Sequence, residues 1–299
     1  MTIALHPAAA AHPRPFLGRH IGTRGRERLL NLFAYALLIV AIGIIFFPLL
    51  WMFSVSVRPN IEVMRMPPDW LPQVFTLEGY AKIFQNKKFL VVFLNTMVVS
   101  LIVTALSLFL GAMAAYALAR FNFIGQRAVL MFLITTQMFP LVLLCIPYFR
   151  IFITLGLYDT RTSLVVVYLT FTLPFCILML RSYFMNIPRD IEEAAMVDGC
   201  SRLKAIFKTL VPMSYPAFIG AGLYTFLLAW NEFLFAVVLI ESWENRVLTM
   251  AIYSLMAEFV TDWNTMMAFS VLASLPLVVA FIFLQKFMVQ GMTAGALTS

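Results

Sequence analysis

Apolar residues in this chain fall in long unbroken runs, and the charged residues gather between them. Charge-free stretches extend over Leu29–Val57, Phe89–Ala119, Ala128–Phe149 and Thr162–Leu180. A fifth runs from Thr209 to Ile240 with only Glu232 inside it, and a sixth from Trp263 to Gln285. A helix needs about 20 apolar residues to cross the hydrocarbon core, so each run suffices, the fourth only just. Runs longer than one span predict helices that tilt or extend beyond the bilayer. The pattern predicts an all-α polytopic membrane protein with six transmembrane helices. It divides into a basic tail over residues 1–28, a transmembrane domain over 29–290 and a C-terminal tail over 291–299.

Between the fourth and fifth runs lies a stretch with a different pattern, NIPRDIEEAAMVDGCSRLKAIFKTLVP, from Asn186 to Pro212. Its spacing predicts two short helices. Asp190 in the N-cap place and Glu193 three residues on form a variant capping box. Ile191, Ala194 and Ala195 then give a small apolar patch that lets another protein's backbone come close. Gly199 stands where a left-handed helix end needs a residue without Cβ. Ser201 can cap the second helix, whose Leu203, Ile206, Phe207 and Leu210 fall at i, i+3, i+4 and i+7, opposite Arg202, Lys204 and Lys208. Pro212 opens the next apolar run, where a missing N–H costs little.

Smaller features mark the runs themselves. Gly111 and Ala115 have the small-xxx-small spacing of closely packed membrane helices. Pro140 and Pro147 interrupt the third run and Pro174 the fourth, all candidate bends. The loop from Arg58 to Lys88 contains MPPDWLP and a short helix that Thr76 can cap, with Leu77, Tyr80, Ala81 and Phe84 on one face. In the fifth run Trp230, Asn231 and Glu232 place an amide and a carboxylate inside an apolar helix. An ionisable group at membrane depth is a functional-site hypothesis; the alternative is that Glu232 sits at the interface or is neutralised by a neighbouring helix. Successive helical residues point about 100° apart, so the three cannot face one cavity equally. Asn231 or Glu232 is then the expected functional residue, and the other holds a helix interface.

Composition agrees with the membrane reading: 62% hydrophobic, 12% charged, mean hydropathy +0.92, where a soluble domain carries about 25% charged residues. The net charge of +7 points to membrane lipid and not to nucleic acid, because the cations flank the apolar runs. With the N-terminus inside, 13 of the 21 Lys and Arg fall on the inner side and 8 outside. This moderate asymmetry gains weight from Arg14, Arg19, Arg24, Arg26 and Arg28, and both termini are expected in the cytoplasm. No apolar core precedes those arginines, so residues 1–28 read as a tail and not a signal peptide. All three histidines, His6, His12 and His20, lie in that tail, which leaves no imidazole in the membrane part and argues against a membrane enzyme. Cys145, Cys176 and Cys200 are odd in number without metal spacing, and read as packing residues. No Gly-rich phosphate loop ending in Lys-Ser/Thr is present, so the chain itself is not expected to bind ATP.

The loop resembles the EAA loop of ABC-importer permeases. Glu193, Ala194, Ala195, Gly199 and Pro212 match at the family spacing, while Thr209 and Val211 stand where Ile and Leu are usual. With the preceding LPFCILMLRSYFMNIP, the match is to the carbohydrate branch, the maltose-type second permease. Trp230-Asn231-Glu232 is similar to a region bordering the translocation path of sugar permeases. Gly291, Thr293, Ala294, Gly295 and Ala296 resemble a family ending that inserts near the ATPase subunits. The resemblance implies a non-enzymatic subunit of a bacterial inner-membrane sugar importer, with a cytosolic coupling helix pair over 186–212. Glu193, Ala194, Ala195, Asp198, Gly199 and Pro212 would couple to the ATPase, and Trp230, Asn231 and Glu232 would border the solute path. The implied partners are a second permease, an ABC ATPase dimer that carries ATP and Mg, an external solute-binding protein and a sugar; no cofactor or metal belongs to this chain. The alternatives are an ion-gradient-driven secondary transporter, which would usually carry several midplane ionisable groups and an internal repeat, and an ABC permease for a non-sugar solute.

Overall fold

The computed structural model describes residues 21–256 and 262–296 of the chain. The expectations for residues 1–20 and 297–299 lie outside the described residues. The chain divides into two compact units, Met1–Trp51 and Met52–Ser299. The first holds most of α1 (Ile21–Ser56), which begins inside the stretch expected as a tail and carries the charge-free run from Leu29 onward. Phe47 and Trp51, one turn apart on it, stack with ring centroids 6.5 Å apart.

The second unit is helical throughout its described residues. After α2 (Asn60–Val63) and α3 (Glu78–Gln85) come the long α4 (Lys87–Arg120), α5 (Gln126–Met138), α6 (Cys145–Thr154) and α7 (Arg161–Met185). Then follow α8 (Asp190–Val197), α9 (Arg202–Ala205), α10 (Val211–Met213), α11 (Tyr215–Trp230), α12 (Leu234–Leu239), α13 (Leu248–Met256) and α14 (Trp263–Ala296). Four helices are long and apolar enough to cross a membrane unaided, and two bent pairs bring the spans to six. The chain is an all-α polytopic membrane protein.

The third span bends by 97° between α5 and the Leu141–Leu144 turn that leads into α6. Pro140 explains the break: it holds Phe139 extended at φ −77°, ψ 129°, away from the helical region. Pro147 falls in the first turn of α6, where its missing N–H is not needed. Pro174, the other candidate bend, leaves α7 continuous. The backbone of α14 stays helical through Ala296, with no interruption at 291.

The centre of the bundle is α4, which packs along α7 and α11. The small residues of α4 permit it. Gly111, Ala112 and Ala115 are buried, and a Cβ added at Gly111 would sit 2.9 Å from Cys176 Sγ on α7. Just above, the hydroxyls of Ser107 and Thr172 bond across the same interface at 2.9 Å. One buried cluster, including Tyr116, Leu180, Phe184, Ile206 and Leu210, gathers around the loop-side ends of these helices. A second, including Val99, Leu164, Tyr168, Phe235 and Leu239, fills the opposite half.

The short helix expected in the 58–88 region is α3. Thr76 does accept the Glu78 N–H at 3.2 Å. The expected face, with Leu77, Ala81 and Phe84, is exposed, and the opposite side of α3, Gly79 and Ile83, is buried. Close approach to α14 decides this: a Cβ at Gly79 would lie 2.4 Å from Asn264 Oδ1, so only glycine fits the contact. Polar side chains lock this region to the start of α14. Asn264 donates to the Ser56 and Arg58 carbonyls at 2.9 Å each, and Lys82 pairs with Asp262 at 3.0 Å.

Candidate functional site

The loop from Asn186 to Pro212 is built as two short helical pieces around a left-handed turn. α8 starts one residue earlier than the capping-box reading required. Arg189 is already helical at φ −66°, ψ −30°, and no side chain caps the helix. Asp190, Glu192 and Glu193 therefore occupy the first turn together. There they complement the positive end of the helix dipole without acting as a reciprocal cap.

The end of α8 follows the sequence expectation. Gly199 has φ +85°. Its N–H donates to the Met196 carbonyl at 3.0 Å and the Cys200 N–H to Ala195 at 3.1 Å. These two bonds make a Schellman turn, and the positive φ is what selects glycine there. Ser201 then caps α9 by accepting the Lys204 N–H at 3.4 Å.

The faces of α8 are divided differently from the expected patch. Ile191 and Ala195 are half-buried against the bundle and Glu192 is buried, while Glu193, Ala194, Val197 and Asp198 are exposed. The presented surface is thus Glu193, Ala194 and Val197, one helical face with Asp198 and Gly199 at its end. Beyond α9 the helix widens into a π turn over Ile206–Leu210. Ile206 and Leu210 remain in the core, but Phe207 is half exposed. An i→i+5 turn adds a residue and rotates Phe207 off the face that regular α-helical spacing gives it. Pro212 follows, exposed, in the short α10 before the chain turns by 76° into α11.

What holds α8 in place is a pair that pattern reading passed over. Arg120, the last residue of α4, forms an ion pair with Glu192, and the two side chains are only 6% and 8% exposed. The same guanidinium donates to the Ile187 carbonyl at 3.0 Å. Arg202 on α9 stacks over Phe121, 5.3 Å from the ring centre. A signal for the pair exists in the sequence, since Arg120 closes a charge-free run and Glu192 sits beside Glu193. Nothing in spacing alone joins residues so far apart.

At the fifth span the structure corrects the sequence reading. Trp230, Asn231 and Glu232 are not inside a continuous helix: α11 ends at Trp230, and α12 resumes only at Leu234. The three residues have separate fates. Trp230 is buried, donates Nε1–H to the Ala273 carbonyl at 3.2 Å and meets Phe93 edge-on. Asn231 is exposed, with its amide on the Leu227 carbonyl at 2.9 Å. Glu232 turns back over α12, where its carboxylate accepts the Phe235 and Ala236 N–H groups at 2.9 and 3.2 Å. The first N–H groups of a helix have no intrahelical partners, and this carboxylate supplies the acceptor for two of them. The Glu232 carbonyl in turn accepts from Thr249 at 2.7 Å.

The far end of α4 holds the segment beyond this break. Asn95 donates to the Glu244 and Arg246 carbonyls at 2.7 and 2.9 Å, and Thr96 accepts the Leu248 N–H at 2.7 Å. Nearby, Asp159 accepts the N–H groups of Glu241 and Ser242 at 3.0 Å each. Burial would push this carboxyl up, but those bonds outweigh it and hold it below the usual 3.8. Among the described residues no three His, Cys, Asp or Glu side chains converge as metal ligands.

Comparison with known proteins adds to this geometry. Residues 107–294 match the family model described as binding-protein-dependent transport system inner membrane component. The chain is 39% identical over 251 residues to the inner membrane ABC transporter permease protein YcjP of Escherichia coli, covering 83% of this chain and 90% of that one. It is 37% identical to the sulfoquinovosyl glycerol transport system permease protein SmoH of Agrobacterium fabrum, covering 84% and 88%. Against the trehalose transport system permease protein SugB of Mycobacterium tuberculosis, identity is 33% with coverage of 86% and 94%. In fold, it matches a chain of a bacterial ABC transporter involved in the import of the acidic polysaccharide alginate. The TM-score is 0.74 at 23% identity, over 91% of this chain and 99% of that one.

Proposed function

The chain belongs to the family of binding-protein-dependent transport system inner membrane components, and from that premise we propose that it is one permease of an ATP-driven importer for a sugar or sugar-like solute. It works beside a second permease, an ATPase dimer and an external solute-binding protein. Relatives named for transport of sulfoquinovosyl glycerol and trehalose support the solute class. Family membership gives no support to a secondary transporter, and it makes the chain a transport subunit and not an enzyme.

The observation that carries the coupling role is the divided surface of α8. Its inner face is locked to the bundle, while Glu193, Ala194, Asp198 and Gly199 are exposed together. The small side chain of Ala194 lets an ATPase cleft close around the helix. On this reading the 186–212 loop and both termini face the cytoplasm, and the 58–88 region faces outward. A cysteine at Gln73 then reacts with an impermeant thiol reagent in intact cells and one at Ser201 does not.

For the solute path we favour Asn231 over its neighbours. Its side chain is exposed, whereas Glu232 is engaged as the cap of α12 and Trp230 is buried. The experiment is uptake of labelled trehalose and maltose by cells expressing the whole importer. Uptake that survives an uncoupler and stops on ATP depletion fits the proposal. Loss with the uncoupler at unchanged ATP would refute it.

A further inference from the structure

We propose that Arg120 and Glu192 are the positioning pair that makes α4 move as one body with the coupling helix, a role that rests on the reading of α8 as the ATPase-docking element. The covalent chain joins α8 only to α7 and to the helices leading into α11. α4 lies elsewhere in sequence, yet its last residue reaches α8 through a buried ion pair and a further bond to the Ile187 carbonyl. The ion pair has little solvent around it to screen or replace it, so the two groups stay together when α8 is pushed.

The rest of α4 gives that joint a consequence. The helix is continuous from Lys87 to Arg120. Near its other end Asn95 and Thr96 hold the 244–248 segment by three hydrogen bonds. That segment continues to Thr249, which holds the Glu232 carbonyl at the break of the fifth span. A displacement of α8 is therefore delivered along α4 to the residues beside Asn231. The covalent route through the π turn at Ile206–Leu210 and the 76° bend is more compliant. Arg181 and Gln126 reinforce the joint by donating to the Leu118 carbonyl at 3.2 and 2.8 Å, which fixes the last turn of α4.

The test uses the assembled importer, with spin labels at two exposed positions outside the presented face of α8. These are Ile124→Cys beyond α4 and Arg189→Cys at the start of α8, in a Cys200→Ser background. The proposal expects the same narrow distance with and without ATP–vanadate trapping, and a broadened or shifted distance when Glu192→Gln is added. A wild-type distance that changes on trapping would overturn it, because α8 would then move against α4. Function gives the second reading. Glu192→Gln and Arg120→Met are expected to lower transport of labelled trehalose or maltose per ATP hydrolysed by on the order of tenfold in complexes that still assemble. The exchanged double variant Arg120→Glu/Glu192→Arg is expected to recover part of that loss. Wild-type transport per ATP in both single variants would sink the role. The label distances need no solute, so a wrong sugar assignment leaves them decisive. If α8 is not the docking element, Ala194→Trp keeps its ATPase, and the reading of the loop fails separately.

Discussion

Beyond its two chain neighbours, a Cβ placed at Gly199 would meet nothing within 4 Å, so within the permease the cost of a side chain there is backbone strain. At φ +85° an ordinary L-residue pays about 1–2 kcal/mol. Gly199→Ala is therefore expected to reduce the formed-to-open ratio of the Schellman turn by a factor of roughly 5–30. A β-branched Gly199→Val should reach the upper part of a range of about 1–3 kcal/mol. Gly199→Asn, whose side chain accepts the left-handed region, should stay near wild type. The assay is hydrogen exchange of the two turn donors, the amides of residues 199 and 200, in the purified permease. Their exchange should accelerate in the order Asn, Ala, Val. Gly199→Asn exchanging as fast as Gly199→Val would refute the argument from φ. A protected Asn variant that loses its ATPase would show instead that a partner needs the bare backbone.

Gly111→Ala drives a Cβ to 2.9 Å from Cys176 Sγ, and should lower stability to thermal unfolding in detergent by about 1–3 kcal/mol; Cys176→Ala should restore most of it. Asp262 carries the outer lock: burial would push its carboxyl up, but bonds from Asn60, Thr265 and Lys82 prevail and hold it at about 2, below the usual 3.8. Because that pKa is depressed, the lock is complete above about pH 4 and is lost as pH falls through about 2. Pepsin cleavage within residues 58–85 should rise across that window, and Asp262→Asn should remove the step. Asn231→Ala should change uptake kinetics of trehalose or maltose per complex with assembly intact. Glu232→Ala, which strips α12 of its cap, should instead lower the amount of assembled complex, at about 1–3 kcal/mol for each N–H left unmet.

The membrane architecture was legible because it depends on run length and charge, which are written directly in the sequence. Every run longer than a bilayer became a span or a bent pair. Local backbone chemistry was legible in part: Gly199 adopts the left-handed turn, and Ser201 and Pro140 act as their residue types dictate, whereas Asp190 does not cap α8 and Pro174 leaves α7 continuous. What escaped was which face each helix turns inward. Ile191, Ala194 and Ala195 looked like one patch, but Glu192 is drawn inward by Arg120, and the helix rotates to bury an ion pair. A buried carboxylate is the least expected occupant of a core position, and only a partner from another helix makes it possible.

Glu232 shows why an ionisable residue inside an apolar run needs its backbone context before it is given a role. In an unbroken helix its carboxylate has no local donors, and a solute or a distant partner is the natural counterpart. Once the helix breaks after Trp230, the first N–H groups of α12 become the most demanding unmet donors in the neighbourhood, and the side chain lies within reach of them. Satisfying them leaves the carboxylate committed, while the same break exposes Asn231. The polar triplet thus divides its labour: Trp230 packs, Glu232 caps α12, and Asn231 stands exposed at the break with its amide on the Leu227 carbonyl.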